Sequence, residues 1–444
     1  MPKRDRSSSG PAPGDRSSTK KRARIVLDAA ATAVVEDIDM LTTRYTTAAT
    51  GGIDLSGQPG DGNFYARWVK MGQGDCIALA TPGGKTLLVD CGSLASDGLS
   101  DATLKRFAQY SLFGKRFLGG TAPGGKKRQL DILVLTHPDD DHNNKLADVL
   151  TREKVSPYVD RIYNSADLGM YRRSTQTWVQ KWQLDTGYEY LVTYNKDTVV
   201  TGGATVIDGA IALARRNKYE TKYVDVPVPT KDAATEATEV ATADLFNYLD
   251  SEGRLVIHHE KSGCKISILA SGVKKEYTKD NDAEKLANRA SVVLLVEVFG
   301  KKLLLCGDAT KSTETYLMDK SVNAAKNRVH LANVDVLHVA HHGSHLTSSS
   351  EAFMDLVKPR SQAVISAGKT GVKEHHLPDS RVVNGYADQF GAGTAAEHEV
   401  WYWVVGADEI TQTKQKLTAP VYTTGSLASD PWHESKLDIV WKKP

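Results

Sequence analysis

Leu135-Thr-His-Pro-Asp-Asp-Asp-His142 is the stretch on which the reading of this chain turns. Two histidines and three carboxylates fall between His137 and His142, directly after the apolar run Asp131-Ile-Leu-Val-Leu135. Repulsion among Asp139, Asp140 and Asp141 is unfavourable unless a cation offsets it, and imidazoles are good ligands for divalent metals. The stretch therefore reads as half of a metal site in a sharp loop entering a helix, with His137 and Asp139 facing one ion and Asp141 and His142 the other. An acidic residue at a helix N-terminus is the ordinary alternative for any single position. So many ligand types directly after a buried strand favour the metal.

Two further segments have the same form. Leu303-Leu-Leu-Cys-Gly-Asp308 is an apolar strand ending in a carboxylate, which can bridge two cations. Asp335-Val-Leu-His-Val-Ala-His-His-Gly-Ser344 is another such strand ending in the pair His341 and His342, and Gly343 lets the backbone pass close to the site. Singly, each is better explained as a helix cap or a core histidine; three strand ends bearing ligand types carry more weight together. His258, His259 and His345 read as structural or surface residues.

Around these ends lie short apolar runs bounded by Gly, Pro or Asp: Phe64 to Val69, Cys76 to Ala80, Thr86 to Val89 and Asp131 to Leu135, then Lys265 to Leu269, Ser291 to Val298, Lys302 to Leu305, Val334 to Val339 and Ala363 to Ser366. Pro82-Gly83-Gly84 is a hairpin turn candidate. Arg106 to Phe113 and His142 to Leu150 read as helices. Strands separated by helices, in two similar blocks, predict an α/β sandwich. Between the blocks, residues 151–254 are rich in tyrosine and contain Trp178, Trp182 and Arg172-Arg173. Such a segment can cap a site and stack bases, but scattered aromatics more often build a small core. The last 50 residues or so, about 395–444, carry Trp401, Trp403, Trp432 and Trp441 and read as added strands.

The 444-residue chain is 40% hydrophobic and 25% charged, ordinary values for a globular protein. Its net charge of +2 hides an asymmetry: residues 1–24 hold eight basic and two acidic residues, leaving the other 420 at −4. That basic, Ser/Pro/Gly-rich tail is expected to be disordered, with a short helix and linker over 25–62 before the main domain at 63–444. The basic clusters read as a nuclear-import signal, a loose nucleic-acid tether or a plain solubilising tail. Cys76, Cys91, Cys264 and Cys306 show neither zinc-finger nor disulfide spacing, and no apolar run approaches a membrane span. The expectation is a cytoplasmic protein without a membrane partner, or a nuclear one if the source is eukaryotic.

The motifs together resemble the metallo-β-lactamase fold superfamily, and specifically the metallohydrolase domain of the ComEC-type competence proteins and their soluble relatives. The matching segments are Met71-Gly-Gln-Gly-Asp75, Leu88-Val-Asp-Cys-Gly92, the His137–His142 cluster, Asn288-Arg-Ala-Ser291, Leu305-Cys-Gly-Asp308, and Ala340-His-His-Gly-Ser344 with Thr347-Ser-Ser349. They occur in family order from about residue 64 to 383. The resemblance implies a four-layer αββα sandwich with two divalent metal ions at one edge, so that 63–444 would be a hydrolase domain. Asp139 stands where most superfamily members have a second histidine, and a carboxylate is the harder ligand, so Mn²⁺ or Mg²⁺ suits the site as well as Zn²⁺. It implies metal ligation by His137, Asp139, Asp141, His142, Asp308 and one or both of His341 and His342. By the same resemblance Asp75, Asp90, Asn288, Ser291 and Ser344 would support the ligands from outside. Where relatives carry Gly-His-Pro, this chain has Glu374-His-His-Leu-Pro378, so His376, beside His375, is a displaced candidate for a ligand or an acid. The membrane channel of full ComEC has no counterpart here, which speaks against DNA uptake.

The chemistry implied is that of a phosphodiesterase or nuclease acting on nucleic acid or a nucleotide through a metal-bridging hydroxide. Asp141, Asp308, His342 and His376 would sit at the reacting centre. Two other functions compete: a metal-dependent hydrolase of a lactone, thioester or amide, and a non-catalytic metal-binding interaction module. Fold alone does not choose among them.

Overall fold

A computed structural model describes residues 60–69, 71–94, 129–150, 158–166, 168–183, 188–195, 209–216, 220–223, 248–250, 254–273, 287–318, 330–367, 377–390, 399–402, 421–422 and 436–444. The expected N-terminal tail and linker, the expected helix over Arg106 to Phe113, and His375 and His376 lie outside them.

The first sheet is built on β1 (Phe64–Val69), β2 (Ile77–Ala80), β3 (Thr86–Val89) and β4 (Gln129–Leu135). The chain then forms helices α1 (Asp140–Asn143) and α2 (Leu146–Leu150), β5 (Tyr158–Asn164), α3 (Arg173–Gln183), β6 (Tyr188–Asn195), β7 (Gly209–Arg216) and β8 (Glu220–Tyr223). The single helix expected from His142 to Leu150 is therefore two short ones. The second sheet takes β9 (Tyr248–Leu249), β10 (Leu255–His259), β11 (Lys265–Ala270), β12 (Val293–Val298), β13 (Lys301–Leu305), β14 (Val336–His338), β15 (Gln362–Ile365), β16 (Glu399–Tyr402) and β17 (Val421–Tyr422). Helices α4 (Lys311–Met318), α5 (Glu351–Val357) and α6 (Ser380–Phe390) lie between its later strands in the chain, and β18 (Lys436–Trp441) returns to pair antiparallel with β1.

Period-two alternation explains the layers. Ala66, Trp68, Leu79, Val89, Ile132 and Val134 point from the first sheet into one core shared with the second sheet, which continues to Leu317, Phe353, Met354, Val382 and Tyr386 of α4, α5 and α6. Their alternates Tyr65, Ala78, Leu88, Leu133 and Leu135 form a separate core with Leu146, Val149, Trp178 and Val179 of α2 and α3. The result is the expected αββα sandwich, with helices outside both sheets.

Much of the expected insertion extends the first sheet: β5 and β6 continue it in parallel, β7 and β8 antiparallel, while β9 joins the second sheet. Tyr163, Tyr171 and Trp178 are buried, in line with the core reading of the aromatics. Trp441 of β18 is also core material and stacks on Phe64 with centroids 5.2 Å apart.

Strand direction places the site. β3, β4 and β5 run parallel in one sheet, and β13, β14 and β15 run parallel in the other. The loops leaving β3, β4, β13, β14 and β15 hold Asp90, His137–His142, Asp308, His341–His342 and Ser366. The two sheets are tied beside them, where Val292 N–H donates to Thr136 O at 3.0 Å. A second tie uses the β2–β3 turn, where buried Glu260 accepts from Gly83 N–H at 2.8 Å, from the Thr81 hydroxyl and from His258. This gives His258 the structural role expected of it.

Candidate metal centre

Asp90 begins the construction. It follows β3 in the left-handed region, at φ 56°, a conformation uncommon for a non-glycine residue. There its buried carboxylate accepts from Thr136 N–H at 2.8 Å and from the Thr136 hydroxyl, and lies 2.8 Å from His142 Nδ1. The contact fixes the His142 ring and turns its Nε2 toward Asp308 Oδ1, 3.1 Å away. His137 is set in the same way, with Nδ1 3.1 Å from the Thr136 hydroxyl and 3.3 Å from Ser291 Oγ. Ser291 Oγ also accepts from Asp308 N–H at 3.1 Å.

From the second sheet, His341 at φ 51°, His342 at φ 53° and Gly343 at φ 76° form a run of left-handed residues. For histidine each such conformation costs on the order of 1 kcal/mol and persists only where its surroundings enforce it. The reversal sends the two imidazoles apart. His342 donates from Nδ1 to Ser366 O at 2.6 Å, and its Nε2 lies 3.3 Å from Asp141 Oδ2 and 3.5 Å from Asp308 Oδ2. His341 instead has Nδ1 2.7 Å from the Thr347 hydroxyl, which is held by Ser344 Oγ, and Nε2 3.1 Å from Asn288 Nδ2. Its Nε2 is 3.6 Å from Asp308 Oδ2.

Possible ligand atoms within 4.8 Å of one another define three groups among the described residues, two of which, His137/His142/Asp308 and Asp141/His142/His342, use the Nε2 side of His142 or the residues beside it. His142 is common to both, which the division of the motif into two pairs did not anticipate. Asp308 faces the histidines with both oxygens. Asp139 is 3.7 Å from His137 Nε2 with its side chain 40% exposed, so it stands on the open side. Asp75 and Asp90 form a third such group with His142, on the Nδ1 side of its ring.

The donor set fits a cation. Nε2 of His137, His142 and His342 and Oδ1 of Asp308 are buried and make no hydrogen bond of good geometry among the described residues, although His142 Nε2 and Asp308 Oδ1 stand 3.1 Å apart and His342 Nε2 stands 3.3 Å from Asp141 Oδ2. A buried polar atom without a partner is costly and calls for an explanation, and these atoms converge. The charges agree. Burial opposes ionisation of Asp308, yet His342, His142 and His341 hold its carboxyl well below the usual range. Burial is likewise overcome at His142, whose pKa is raised by Asp308 and Asp90, and at His342, raised to about 9 by Asp308 and Asp141. Positive charge is thus favoured between these carboxylates.

Glycines let the loops close. An added Cβ on Gly92 would stand 2.1 Å from Asp141 O and 2.4 Å from His142 N. The backbone is laced at that point by Cys91 N–H to His142 O at 2.8 Å, Gly92 N–H to Asp75 O at 3.0 Å and Asp75 N–H to Asp141 O at 3.2 Å. Asn143 Nδ2 spans the His137–His142 loop to Pro138 O at 2.9 Å, and Thr175 of α3 donates to Asn143 O at 2.9 Å. Next to Thr175, Arg172 reaches Asp140 at 3.2 Å, both side chains half exposed.

The structure therefore gathers His137, Asp141, His142, Asp308 and His342, with Asp139 and His341 at the margin and Asp75, Asp90, Asn288, Ser291 and Ser344 around them. Sequence reasoning missed Thr136, Ser366 and His338. His338 lies inside a quoted strand and is buried, with Nε2 3.2 Å from Asp75 Oδ1.

No family model matches the chain. ComE operon protein 3 of Bacillus subtilis (strain 168) is 35% identical over 96 residues, which are 22% of this chain and 11% of that protein. Among solved structures, the metallo-β-lactamase fold protein YhfI of Bacillus subtilis is 13% identical, with 85% of this chain and 99% of that one covered at a TM-score of 0.35. A zinc-dependent hydrolase of the metallo-β-lactamase superfamily from Thermotoga maritima, described as putative, is 12% identical, covers 77% and 100%, and gives 0.30. Human tRNase Z, short form, is 13% identical, covers 76% and 91%, and gives 0.32. These neighbours include metallo-β-lactamase fold proteins, the fold whose motifs the sequence resembles. Among the described residues no helix is long and apolar enough to cross a membrane.

Proposed function

We propose that the chain is a hydrolase dependent on two divalent metal ions, manganese or zinc, and that its substrate is a phosphodiester of nucleic acid or a nucleotide. The observation that carries this is the convergence of the unpartnered Nε2 atoms of His137, His142 and His342 on Asp308 and Asp141. His137, Asp139, Asp141, His142, Asp308 and His342 would hold the ions, with Asp308 between the two groups. When bound, such ions supply an activated water and neutralise charge at the scissile group.

The chain's own residues do the rest. Asp90 and Thr136 hold the rings of His142 and His137, and Ser366 O holds His342. His341, fixed through Nδ1 by Thr347 and 18% exposed, stands at the rim with Nε2 against Asn288 Nδ2, and in this reading it is the imidazole that would meet the substrate once that contact is exchanged. A donor set rich in carboxylates suits hard cations. Arg172 brings a half-exposed guanidinium to the metal loop, where it suits a phosphate better than a neutral lactone or thioester. His376 keeps its proposed part as a further acid.

The test is hydrolysis of single-stranded and duplex DNA, RNA, cyclic nucleotides and a lactone by metal-reconstituted protein, with His137→Ala as control. Phosphodiester cleavage lost in the variant is the expected result. Lactone cleavage alone would overturn the substrate class, and a metal-loaded but inert protein would leave a binding module as the better description.

A further inference from the structure

His338 was not among the residues that the motif pattern selects, and it lies beneath the site, 1% exposed, on the last residue of β14. Its Nε2 is 3.2 Å from Asp75 Oδ1 and 3.2 Å from Ser366 Oγ. Asp75, also 1% exposed, comes from the first sheet's side of the sandwich, and its other oxygen, Oδ2, lies 3.6 Å from His142 Nδ1. The backbone of Asp75 donates to Asp141 O at 3.2 Å and accepts from Gly92 at 3.0 Å, so it is laced to the loop carrying Asp141 and His142. Ser366, in turn, offers its carbonyl to His342 Nδ1 at 2.6 Å. One imidazole thus touches both the residue that carries the first sheet's ligand loop and the residue that orients the second sheet's ligand.

We infer that His338 is a positioning residue, the crosspiece of an Asp75–His338–Ser366 strut that sets the separation of Asp141 and His142 from His342. Two observations argue for more than filling of the core. Asp75 Oδ1 is buried and makes no well-formed hydrogen bond among the described residues, and His142 Nδ1 is already engaged by Asp90 at 2.8 Å, so the His338 imidazole at 3.2 Å is the ion-pair contact that meets this oxygen. An apolar side chain at 338 would fill the space equally well but would leave Asp75 without that contact. The strut also joins loops from opposite sheets, whose relative placement no single sheet's hydrogen bonding fixes. The inference rests on the proposed metal centre, because a strut of this kind matters only if His142 and His342 act on the same ions.

The experiment titrates Co²⁺ into metal-free protein, reading affinity by calorimetry and ligand geometry from the visible absorption of the bound ion. Thermal unfolding of each metal-free variant runs beside it. His338→Leu should weaken Co²⁺ binding about 10–100-fold, the range found when groups supporting metal ligands are removed, and alter the absorption band. His338→Gln, which retains a donor for Asp75, should bind within about threefold of the wild-type chain, a rescue that simple packing would not produce. Should His338→Leu fail to fold, Asp75→Asn, equal in shape but without the charge, is expected to show the same loss. Wild-type affinity and spectrum in both His338→Leu and Asp75→Asn would overturn the strut while leaving the metal centre standing. Absence of Co²⁺ binding by the wild-type chain would overturn the metal centre and the strut with it.

Discussion

Replacing Gly92 by alanine should disable the proposed metal loop without changing the identity of any proposed ligand. The added Cβ would lie 2.1 Å from Asp141 O, 2.2 Å from Asp141 C and 2.4 Å from His142 N. Ordinary contact requires the Asp141–His142 peptide to retreat by about 1 Å. It cannot do so freely, since Cys91 N–H to His142 O, Gly92 N–H to Asp75 O and Asp75 N–H to Asp141 O hold it against the strand β3 exit. Loss or stretching of two or three such bonds costs about 1 kcal/mol each, and overpacking adds about 1–3 kcal/mol. Together those two contributions give a destabilisation of roughly 3–6 kcal/mol. In whatever fraction stays folded, a displacement of about 1 Å at Asp141 and His142 should lower turnover about 100-fold. Urea unfolding of the metal-free protein gives the first quantity, and Co²⁺ titration with phosphodiester turnover gives the second. A Gly92→Ala protein with wild-type stability and wild-type metal affinity would refute the close-approach argument.

The two neighbouring histidines should separate cleanly. His342→Ala is expected to lose bound metal, measured by elemental analysis, because its Nε2 faces Asp141 and Asp308. His341→Ala should keep most of the metal and lose turnover, since its ring is held by Thr347 and Asn288 at the rim; equal metal loss in both would place His341 among the ligands. Glu297 supplies a pH test away from the site. Burial opposes its ionisation, but His330 at 3.5 Å, Arg254 at 3.1 Å and Lys265 at 3.8 Å bring its pKa down from 4.5 to about 2. A depressed carboxyl contributes stability that is complete above its unfolded value and is lost as pH falls through the folded one. Wild-type protein should therefore lose stability between about pH 5 and 2, and Glu297→Gln should flatten that limb, costing about 1–2 kcal/mol at pH 7 after allowance for its partial exposure; parallel acid limbs would contradict the assignment.

That the candidate residues gather in one place was legible in the sequence because each candidate group follows an apolar strand within a few residues. In a parallel arrangement such strand exits meet at one edge, so a local pattern reported a global location. Nothing more was needed to bring His137, Asp141, His142 and Asp308 together, and the short apolar runs marked β1 to β4 and β11 to β15, though not β10. The choice between His341 and His342 was not legible, because it depends on three successive left-handed residues that turn one ring inward and the other toward Thr347. The role of His338 was hidden for a different reason: its partners Asp75 and Ser366 come from distant parts of the chain, and a histidine on a buried strand has the same local pattern whether it fills space or bears a strut. The tyrosine-rich segment became sheet as well as core because β5 to β8 found an open edge beside β4, a pairing fixed by hydrogen bonds between segments and not by the composition of either. Sequence determines which side chains are available and on which face of a strand they stand. Only the tertiary structure decides which of them meet, since the backbone reversals and inter-sheet contacts that bring them together are set by packing of remote elements.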